Sequence, residues 1–304
     1  MLLSRRIFVS LPADQWLTPD QNNLKWGIVD KIKAAGYIPE IFTNPRGMAG
    51  LASGKAWSRQ EADKVLRKCM GAAIIGMPRW EFPVSGGPNI KLATEYNQYE
   101  GAVAYTLGLP MLVLAQEDIS RRVVFDQSYG VYMGLFPSSG DIKWLDSDQF
   151  KIPFQYWENE LSKRRDVFLG YCSSSSGTAQ NLKRFLEKEL NVSVLDWKTD
   201  FSPSRFILQQ IEEAAARCSA GIFLFTQDDA VTNETQSFKA VPRDNVVFEA
   251  GYFTSAKGKE NVLIVLETGA KMPADLGGDV YAPLEDKSDI EPIADTVRKF
   301  VEGL

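Results

Sequence analysis

The sequence has no histidine among its 304 residues. Nucleophile systems that use histidine as the base, histidine metal ligands and histidine proton shuttles are therefore excluded. Cysteine is scarce too, because Cys69, Cys172 and Cys218 are the only three and lie too far apart for a disulfide framework or a zinc site of CxxC spacing. We expect any chemistry to rest on carboxylates, hydroxyls and backbone dipoles, without a metal or another cofactor.

Long apolar runs and basic clusters are also missing. No stretch reaches the ~18 apolar residues of a membrane-spanning helix, and Met1–Arg6 runs into a strand-like segment without the apolar core of a signal peptide. With 34 basic and 39 acidic residues, the formal net charge is −5, and no run of lysine or arginine suits a phosphate backbone. We therefore predict a cytoplasmic protein that binds neither a membrane nor nucleic acid.

What the sequence does have is an alternation of strand-like and helix-like segments. The pattern predicts strands at 6–11, 37–42, 71–77, 110–115, 166–170, 192–196, 220–225 and 262–266, with helices between them. Such alternation predicts an α/β protein with parallel sheets covered on both faces. The pattern weakens between 116 and 160, which gives two doubly wound, flavodoxin-like domains in tandem, 1–160 and 161–304. The short likeness of Tyr99–Ala102 to Phe248–Gly251 suggests an internal duplication.

Three polar loops of the C-terminal half follow predicted strands, where doubly wound sheets bind their ligands. Gly170–Gly177 opens a helix, and its amides and hydroxyls suit a ribose or a phosphate, although a plain helix cap would look the same. Asp196–Ser204 contains Trp197 and Phe201, which could stack on a base or a nicotinamide ring or belong to the core. The third loop, Thr226–Asp229, leads into a polar insertion at 230–240.

The helices beside these loops carry two further predictions. The helix at 203–218 is expected to bury Ile207, Leu208, Ile211 and Ala215. After the insertion, Asp244 or Asn245 is expected to cap a helix whose first turn presents Glu249 to the cleft.

Several of these segments resemble the bacterial TIR-like family, which includes effectors of the antiphage systems called CBASS and Pycsar. The resemblance covers roughly 166–285 and is most specific in the motif Arg243-Asp244-Asn245-Val246-Val247-Phe248-Glu249. It implies a flavodoxin-like domain that cleaves NAD⁺ at the nicotinamide–ribose bond, with Glu249 as the catalytic residue. The positions expected to bind this substrate are Gly170, Tyr171, Ser173, Ser174, Trp197, Phe201, Asp228, Arg243 and Asn245.

The proposed chemistry also makes sense without the resemblance. Nicotinamide is already a cationic leaving group, and its departure leaves an oxocarbenium-like ribose that one carboxylate can stabilise. Two other interpretations of Glu249 remain open, because a lone glutamate on a helix can be a surface residue or an ion-pair partner of Arg243. A binding module without catalysis, in which Glu249 is structural, is the corresponding alternative function.

The N-terminal half carries a second group of candidate residues. Its segment 92–115 loosely resembles nucleoside deoxyribosyltransferase-like and TIR-like folds. Ser10, Trp80, Tyr96 and Glu100, together with Glu95, could line a pocket for a nucleotide-derived ligand. The alternatives are a solvated helix face, or hydrolysis or transfer of a nucleoside base with Glu100 as the nucleophile.

Regulation is expected because an enzyme that destroys NAD⁺ would kill its own cell if it were always active. We therefore expect the N-terminal half to sense a cyclic nucleotide or a related signal. Sensing would bring TIR-like domains together as a homo-oligomer and lead to abortive infection.

Overall fold

The computed structural model describes residues 5–42, 50–126, 132–230, 240–276 and 281–304. Contacts divide the chain into two compact units, Arg5–Arg164 and a second one that contains Arg165–Leu304. Most of the polar insertion predicted at 230–240 lies outside the described residues. Within the described ranges, no helix is long and apolar enough to cross a membrane.

The first unit is built on a five-stranded parallel sheet. Its elements are β1 (Arg6–Ser10), α1 (Pro19–Ala34), β2 (Ile38–Glu40), α2 (Arg59–Arg67), β3 (Gly71–Gly76), β4 (Trp80–Phe82), β5 (Ile90–Leu92), α3 (Glu95–Thr106), β6 (Met111–Gln116), β7 (Tyr132–Phe136) and α4 (Asp148–Ser162). The strand order is β2-β1-β3-β6-β7, and β4 and β5 form a separate antiparallel pair. The central strands β3 and β6 are buried throughout, as expected for a parallel sheet with both faces covered.

Helix α3 begins where a threonine supplies the cap. The side chain of Thr94 accepts a hydrogen bond from the backbone N–H of Asn97, at 3.1 Å, and so satisfies one of the free amides of the first turn. This cap fixes the position of Glu100, the sixth residue of the helix.

The second unit repeats the arrangement of the first. Its elements are β8 (Arg165–Gly170), α5 (Ser176–Lys188), β9 (Val194–Asp196), α6 (Trp197–Asp200), α7 (Ile207–Arg217), β10 (Cys218–Phe225), β11 (Asp229–Ala230), β12 (Ala240–Val241), α8 (Asp244–Lys257), β13 (Val262–Glu267), β14 (Tyr281–Leu284) and α9 (Ala294–Glu302). The parallel strands lie in the order β9-β8-β10-β13-β14, with the antiparallel pair β11 and β12 apart from them.

The predicted α/β class with two doubly wound sheets is confirmed, and each of the eight predicted strands has a counterpart. Strand β7 and helix α4, in the region of weak pattern, and strand β14 were not predicted from the sequence. Both strands lie at sheet edges, and each contains a residue that interrupts a strand pattern, Gly134 in β7 and Pro283 in β14. Helix α4 also continues to Ser162, past the boundary predicted near residue 160.

Two local predictions in the C-terminal unit are wrong. Helix α7 buries Ile211 and Ala215, but Ile207 and Leu208 are 60% and 49% exposed, because they belong to its first turn and point away from the sheet's core. Neither Asp244 nor Asn245 caps α8, since Arg243 occupies the N-cap position without a side-chain cap and Asp244 is already the first helical residue.

Candidate active site in the C-terminal unit

Glu249 carries a buried carboxyl. It is the sixth residue of α8, one turn further along than predicted, and it is 8% exposed. Its Oε2 atom has no hydrogen-bond partner among the described residues, and burial raises the pKa of this carboxyl to about 7. A buried polar atom without a partner is costly and uncommon in folded proteins, so it marks a candidate functional group.

The alternative structural interpretations of Glu249 are wrong. Its burial excludes a surface glutamate. Arg243 is exposed and forms its ion pair with Asp229, with 2.8 Å between Nη1 and Oδ1, so it does not neutralise Glu249. Among the described residues no cation pairs with Glu249, and desolvation by burial is the physical cause of its raised pKa.

Glu249 lies beside the end of β8. A Cβ atom built on Gly170 would stand 2.9 Å from Glu249 Oε2, so only glycine lets the carboxyl come this close to the strand. The place is the carboxyl edge of the sheet, where the loops that follow β8, β9 and β10 also begin. This is the edge at which doubly wound folds bind ligands.

The two aromatic side chains of the loop after β9 are half-buried and both contact the core. Trp197 donates from Nε1 to the backbone carbonyl of Tyr171 at 2.9 Å. Phe201 stacks on Phe168, with ring centroids 5.9 Å apart. Both rings are held by the fold and keep exposed surface, so the contacts are compatible with a core role and with stacking on a planar ligand.

Tyr171 is buried rather than open to a ligand. Its hydroxyl donates to Asp196 Oδ1 at 2.8 Å, and burial raises the pKa of the phenol. Lys183 lies 3.3 Å from Oδ2 of the same aspartate. The side chain of Tyr171 therefore anchors the start of the loop that follows β8. The backbone carbonyl of Tyr171 is the group that orients Trp197.

Asp228 ties three segments of the site together. Its Oδ1 accepts hydrogen bonds from Ser174 Oγ and Thr226 Oγ1, each at 2.8 Å, and its Oδ2 accepts from the backbone N–H of Arg243 at 3.0 Å. The loop after β8, the loop after β10 and the start of α8 thus share one carboxylate. Ser173 and Asn245 are exposed beside it, without a side-chain hydrogen bond among the described residues.

Ser175 and Thr226 were not predicted as site residues from the sequence. They form a buried pair next to the carboxylate of Asp228. Their hydroxyl oxygens are 2.6 Å apart, and Thr226 is fully buried. The available signal was a single hydroxyl residue directly after the apolar strand Gly221–Phe225. Such a residue at the carboxyl end of a central strand is a frequent position for ligand-site side chains.

The candidate residues of the N-terminal unit are also brought to one sheet edge. Trp57 Nε1 donates to Glu100 Oε1 at 2.7 Å, and Asn97 Nδ2 donates to Ser10 Oγ at 2.7 Å. Glu100 is 4% exposed, so a solvated helix face is the wrong interpretation for this residue. Burial raises the pKa of its carboxyl to about 7, against the opposing effect of hydrogen bonds from Ser10 and Trp57.

The two aromatic candidates of this unit are more exposed. Tyr96 is 51% exposed and packs edge-on against Trp57, with ring centroids 4.5 Å apart. Trp80 is 43% exposed and donates from Nε1 to Glu95 Oε1 at 3.0 Å. Both rings therefore offer surface for stacking close to the first turns of α3.

The C-terminal unit matches known proteins. Residues 166–286 match the family model described as CAP12/Pycsar effector protein, TIR domain. A CD-NTase-associated protein 12 of Lachnospiraceae bacterium (strain RUG226) is 28% identical over 142 residues, covering 45% of this chain and 44% of that protein. Pycsar effector protein PaPycTIR of Pseudomonas aeruginosa is 34% identical over 132 residues, covering 40% of this chain and 42% of that protein.

A solved structure is similar as well. The TIR domain of the Toll-related receptor TRR-2 from Hydra magnipapillata has a TM-score of 0.34 and 17% identity, and the match covers 45% of this chain and 98% of that domain. The chain matches less than half the length of the two curated relatives named above. The resemblance identified from the Arg243–Glu249 motif is confirmed for the C-terminal half, which matches the CAP12/Pycsar effector TIR-domain model over residues 166–286.

Proposed function

We propose that the C-terminal unit is an NAD⁺ hydrolase with Glu249 as its catalytic residue. The observation that carries the proposal is the buried carboxyl of Glu249, whose Oε2 has no partner among the described residues. It lies at the carboxyl edge of the sheet, in the part of the chain that matches the TIR-domain model. Such a carboxylate is available to a positively charged reaction centre.

The reaction breaks the bond between ribose C1′ and the nicotinamide nitrogen. Nicotinamide leaves with the bonding electron pair, which neutralises its ring charge. The ribose is left as an oxocarbenium-like cation that the Glu249 carboxylate stabilises. Water then adds to C1′ and releases a proton, so that the products are ADP-ribose and nicotinamide, and no cofactor is needed.

Substrate binding is assigned to the groups around this carboxyl. Trp197 and Phe201 are rigid aromatic surfaces for a ring of NAD⁺. Ser173 and Ser174, with the amides before α5, are suited to the phosphate and ribose oxygens. The remaining positions, which line or support this edge, are Gly170, Tyr171, Asp228, Arg243 and Asn245.

We further propose that the protein is a regulated antiphage effector. The relatives are named as associated with a CD-NTase or as Pycsar effectors, which supports a link to cyclic-nucleotide signals. In this proposal the N-terminal unit senses the nucleotide, and activation assembles several copies of the chain. The exposed apolar side chains of Phe206, Ile207 and Leu208, at 79%, 60% and 49%, support association with a second copy.

The test is nicotinamide release from NAD⁺ by the purified full chain. It is measured alone and with a panel of cyclic mono-, di- and trinucleotides, and sedimentation velocity records assembly in the same samples. We expect Glu249→Gln to lower the rate ~100-fold or more. Glu187→Gln, which changes an exposed glutamate of α5, is the matched control and should leave the rate unchanged.

Two outcomes would replace this proposal. Nucleotide binding without nicotinamide release under any condition would indicate a binding module. A second candidate is cleavage of a nucleoside in the N-terminal unit by Glu100, which is favoured by the burial and the raised pKa of that carboxyl. Chromatographic analysis of products from nucleosides and from NAD⁺ distinguishes the two activities.

A further inference from the structure

The two units place a buried glutamate at the same point of the fold. In each, the central strand is followed by a short antiparallel pair and then by a helix: β3, β4/β5 and α3 in one, β10, β11/β12 and α8 in the other. Glu100 and Glu249 are each the sixth residue of that helix, and they are 4% and 8% exposed. The repeated position indicates that the carboxyl edge of the N-terminal sheet is also a ligand site.

Glu100 retains the capacity to accept more hydrogen bonds. Asn97 donates to Ser10 Oγ at 2.7 Å, so the proton of that hydroxyl is directed toward Glu100, whose other partner is Trp57 Nε1. A carboxylate can accept about four hydrogen bonds. About two acceptor positions remain, and among the described residues no cation pairs with this carboxyl. Vicinal ribose hydroxyls are donors of matching number and chemistry.

Arg79 supplies a second, independent indication of the ligand. Its guanidinium stacks over Trp16, 3.6 Å from the ring centroid, and lies 4.8 Å from that of Trp80. Among the described residues, its buried Nη1 has no hydrogen-bond partner and the side chain forms no ion pair. An arginine that contacts two aromatic rings and keeps an unused donor is suited to a phosphate.

The two groups belong to one surface of the N-terminal unit. Arg79 contacts Trp80, whose Nε1 holds the carboxylate of Glu95 in the first turn of α3. No ion pair joins Glu95 to Arg79 among the described residues. Tyr96, the residue after Glu95, packs against Trp57, whose Nε1 donates to Glu100. Arg79 follows the end of β3, and Ser10 ends the neighbouring strand β1, so both groups lie at the carboxyl edge of the same sheet.

We propose that this edge binds a phosphorylated ribonucleoside, with Glu100 engaging the ribose hydroxyls and Arg79 the phosphate. Exposed rings of Trp80 and Tyr96 are then available to the base. The inference rests on the proposed function in one respect. If the N-terminal unit senses a nucleotide signal, this site gives the chemical class of that signal. The site itself does not depend on NAD⁺ cleavage.

The test is calorimetric titration of full-length Glu249→Gln protein, in which NAD⁺ chemistry is removed. The probes are the four ribonucleoside 5′-monophosphates, their 2′-deoxy counterparts and the unphosphorylated nucleosides. We expect at least one ribonucleotide to bind, and to bind tenfold or more tightly than both its deoxy form and its nucleoside. Adding Arg79→Gln should abolish the preference for the phosphate, and adding Glu100→Gln should abolish the preference for ribose over deoxyribose.

A matched control is Arg67→Gln. Arg67 ends α2, which leads into the start of β3, so it lies at the opposite edge of the same sheet, and its change should leave every affinity unaltered. Absence of binding by all probes at millimolar concentration would overturn the proposal, as would preferences unchanged in both site variants. The comparison of ribonucleotides with their deoxy forms and with nucleosides needs no variant at Arg79 or Glu100. It therefore tests the proposal even if one of those variants fails to fold. Nicotinamide release by the wild-type chain separately decides the proposed hydrolase.

Discussion

The carboxyl of Glu249 packs directly against Gly170. A Cβ atom at this glycine would lie 2.9 Å from Glu249 Oε2 and 2.4 Å from Phe223 Cδ1, so neither neighbour leaves room for a methyl group. Gly170, the last residue of β8, and Glu249, the sixth residue of α8, are thus in close contact. Oε2 is buried at this contact and has no hydrogen-bond partner among the described residues.

Substitution of Gly170 by alanine should damage the site. The new methyl group must displace the ring of Phe223 or the carboxyl of Glu249, and overpacking of this kind costs about 1–3 kcal/mol of stability. We expect nicotinamide release to fall at least tenfold because the carboxyl moves. Denaturant unfolding and the rate of nicotinamide release measure the two effects.

Gly177→Ala is the control for that change. Gly177 is the second residue of α5, is exposed, and has no atom within 4 Å of a built Cβ. Alanine in a helix should raise the free energy of unfolding by up to about 1 kcal/mol and leave the activity intact. Equal behaviour of the two variants would contradict the tight fit at Gly170.

The activity should depend on the ionisation of Glu249. Burial raises the pKa of this carboxyl to about 7. Only the ionised form stabilises a cationic ribose, so kcat/KM for NAD⁺ should rise with pH through about 7 and then level off. Initial rates of nicotinamide release between pH 5.5 and 8.5 test this, and a flat profile would argue against Glu249 as the catalytic carboxylate.

Stability should show the opposite dependence on pH. Between the unfolded pKa of 4.5 and the folded pKa of about 7, the folded state binds more protons at Glu249 than the unfolded state. The wild-type chain therefore loses stability as pH rises through this window, by roughly 3 kcal/mol if each pKa unit contributes about 1.4 kcal/mol.

Glu249→Gln removes this titration. The stability of the variant relative to wild type should increase between pH 4 and pH 8 by an amount of that order, as measured by urea unfolding of the C-terminal unit. Glu187→Gln, which changes an exposed glutamate of the same unit, is measured alongside as the control. A difference between Glu249→Gln and wild type that does not change with pH would show that the Glu249 carboxyl is not desolvated.

The two adjacent aspartates should differ in importance. Asp228 accepts three hydrogen bonds from three segments of the site, whereas Asp229 forms an exposed pair with Arg243. Asp228→Asn removes an acceptor and should cost about 1–2 kcal/mol and raise KM for NAD⁺. Asp229→Asn should change stability by less than about 1 kcal/mol. Unfolding and steady-state kinetics compare them, and a larger effect at Asp229 would contradict the assignment.

Local sequence patterns were sufficient for the central parts of the fold. Continuous apolar runs such as Gly71–Met77 and Ala220–Phe225 indicate buried parallel strands because both faces of such strands are covered. The edge strands β7 and β14 were not predicted, since Gly134 and Pro283 interrupt their strand patterns. Helix α4 contains Pro153 and many aromatic residues, which obscured its helical period.

For the candidate site, too, the sequence determined some features and the tertiary structure decided others. By itself, the sequence determined the absence of histidine chemistry, the alternation of strands and helices, and the Arg243–Glu249 motif, because these are properties of composition and of neighbouring residues. Only the tertiary structure decided that Glu249 is buried with no partner for Oε2 among the described residues, that Arg243 pairs with Asp229, and that Trp57 reaches Glu100. Burial and pairing depend on contacts between residues distant in the chain, and desolvation, which sets the pKa of a carboxyl, exists only once those contacts have formed.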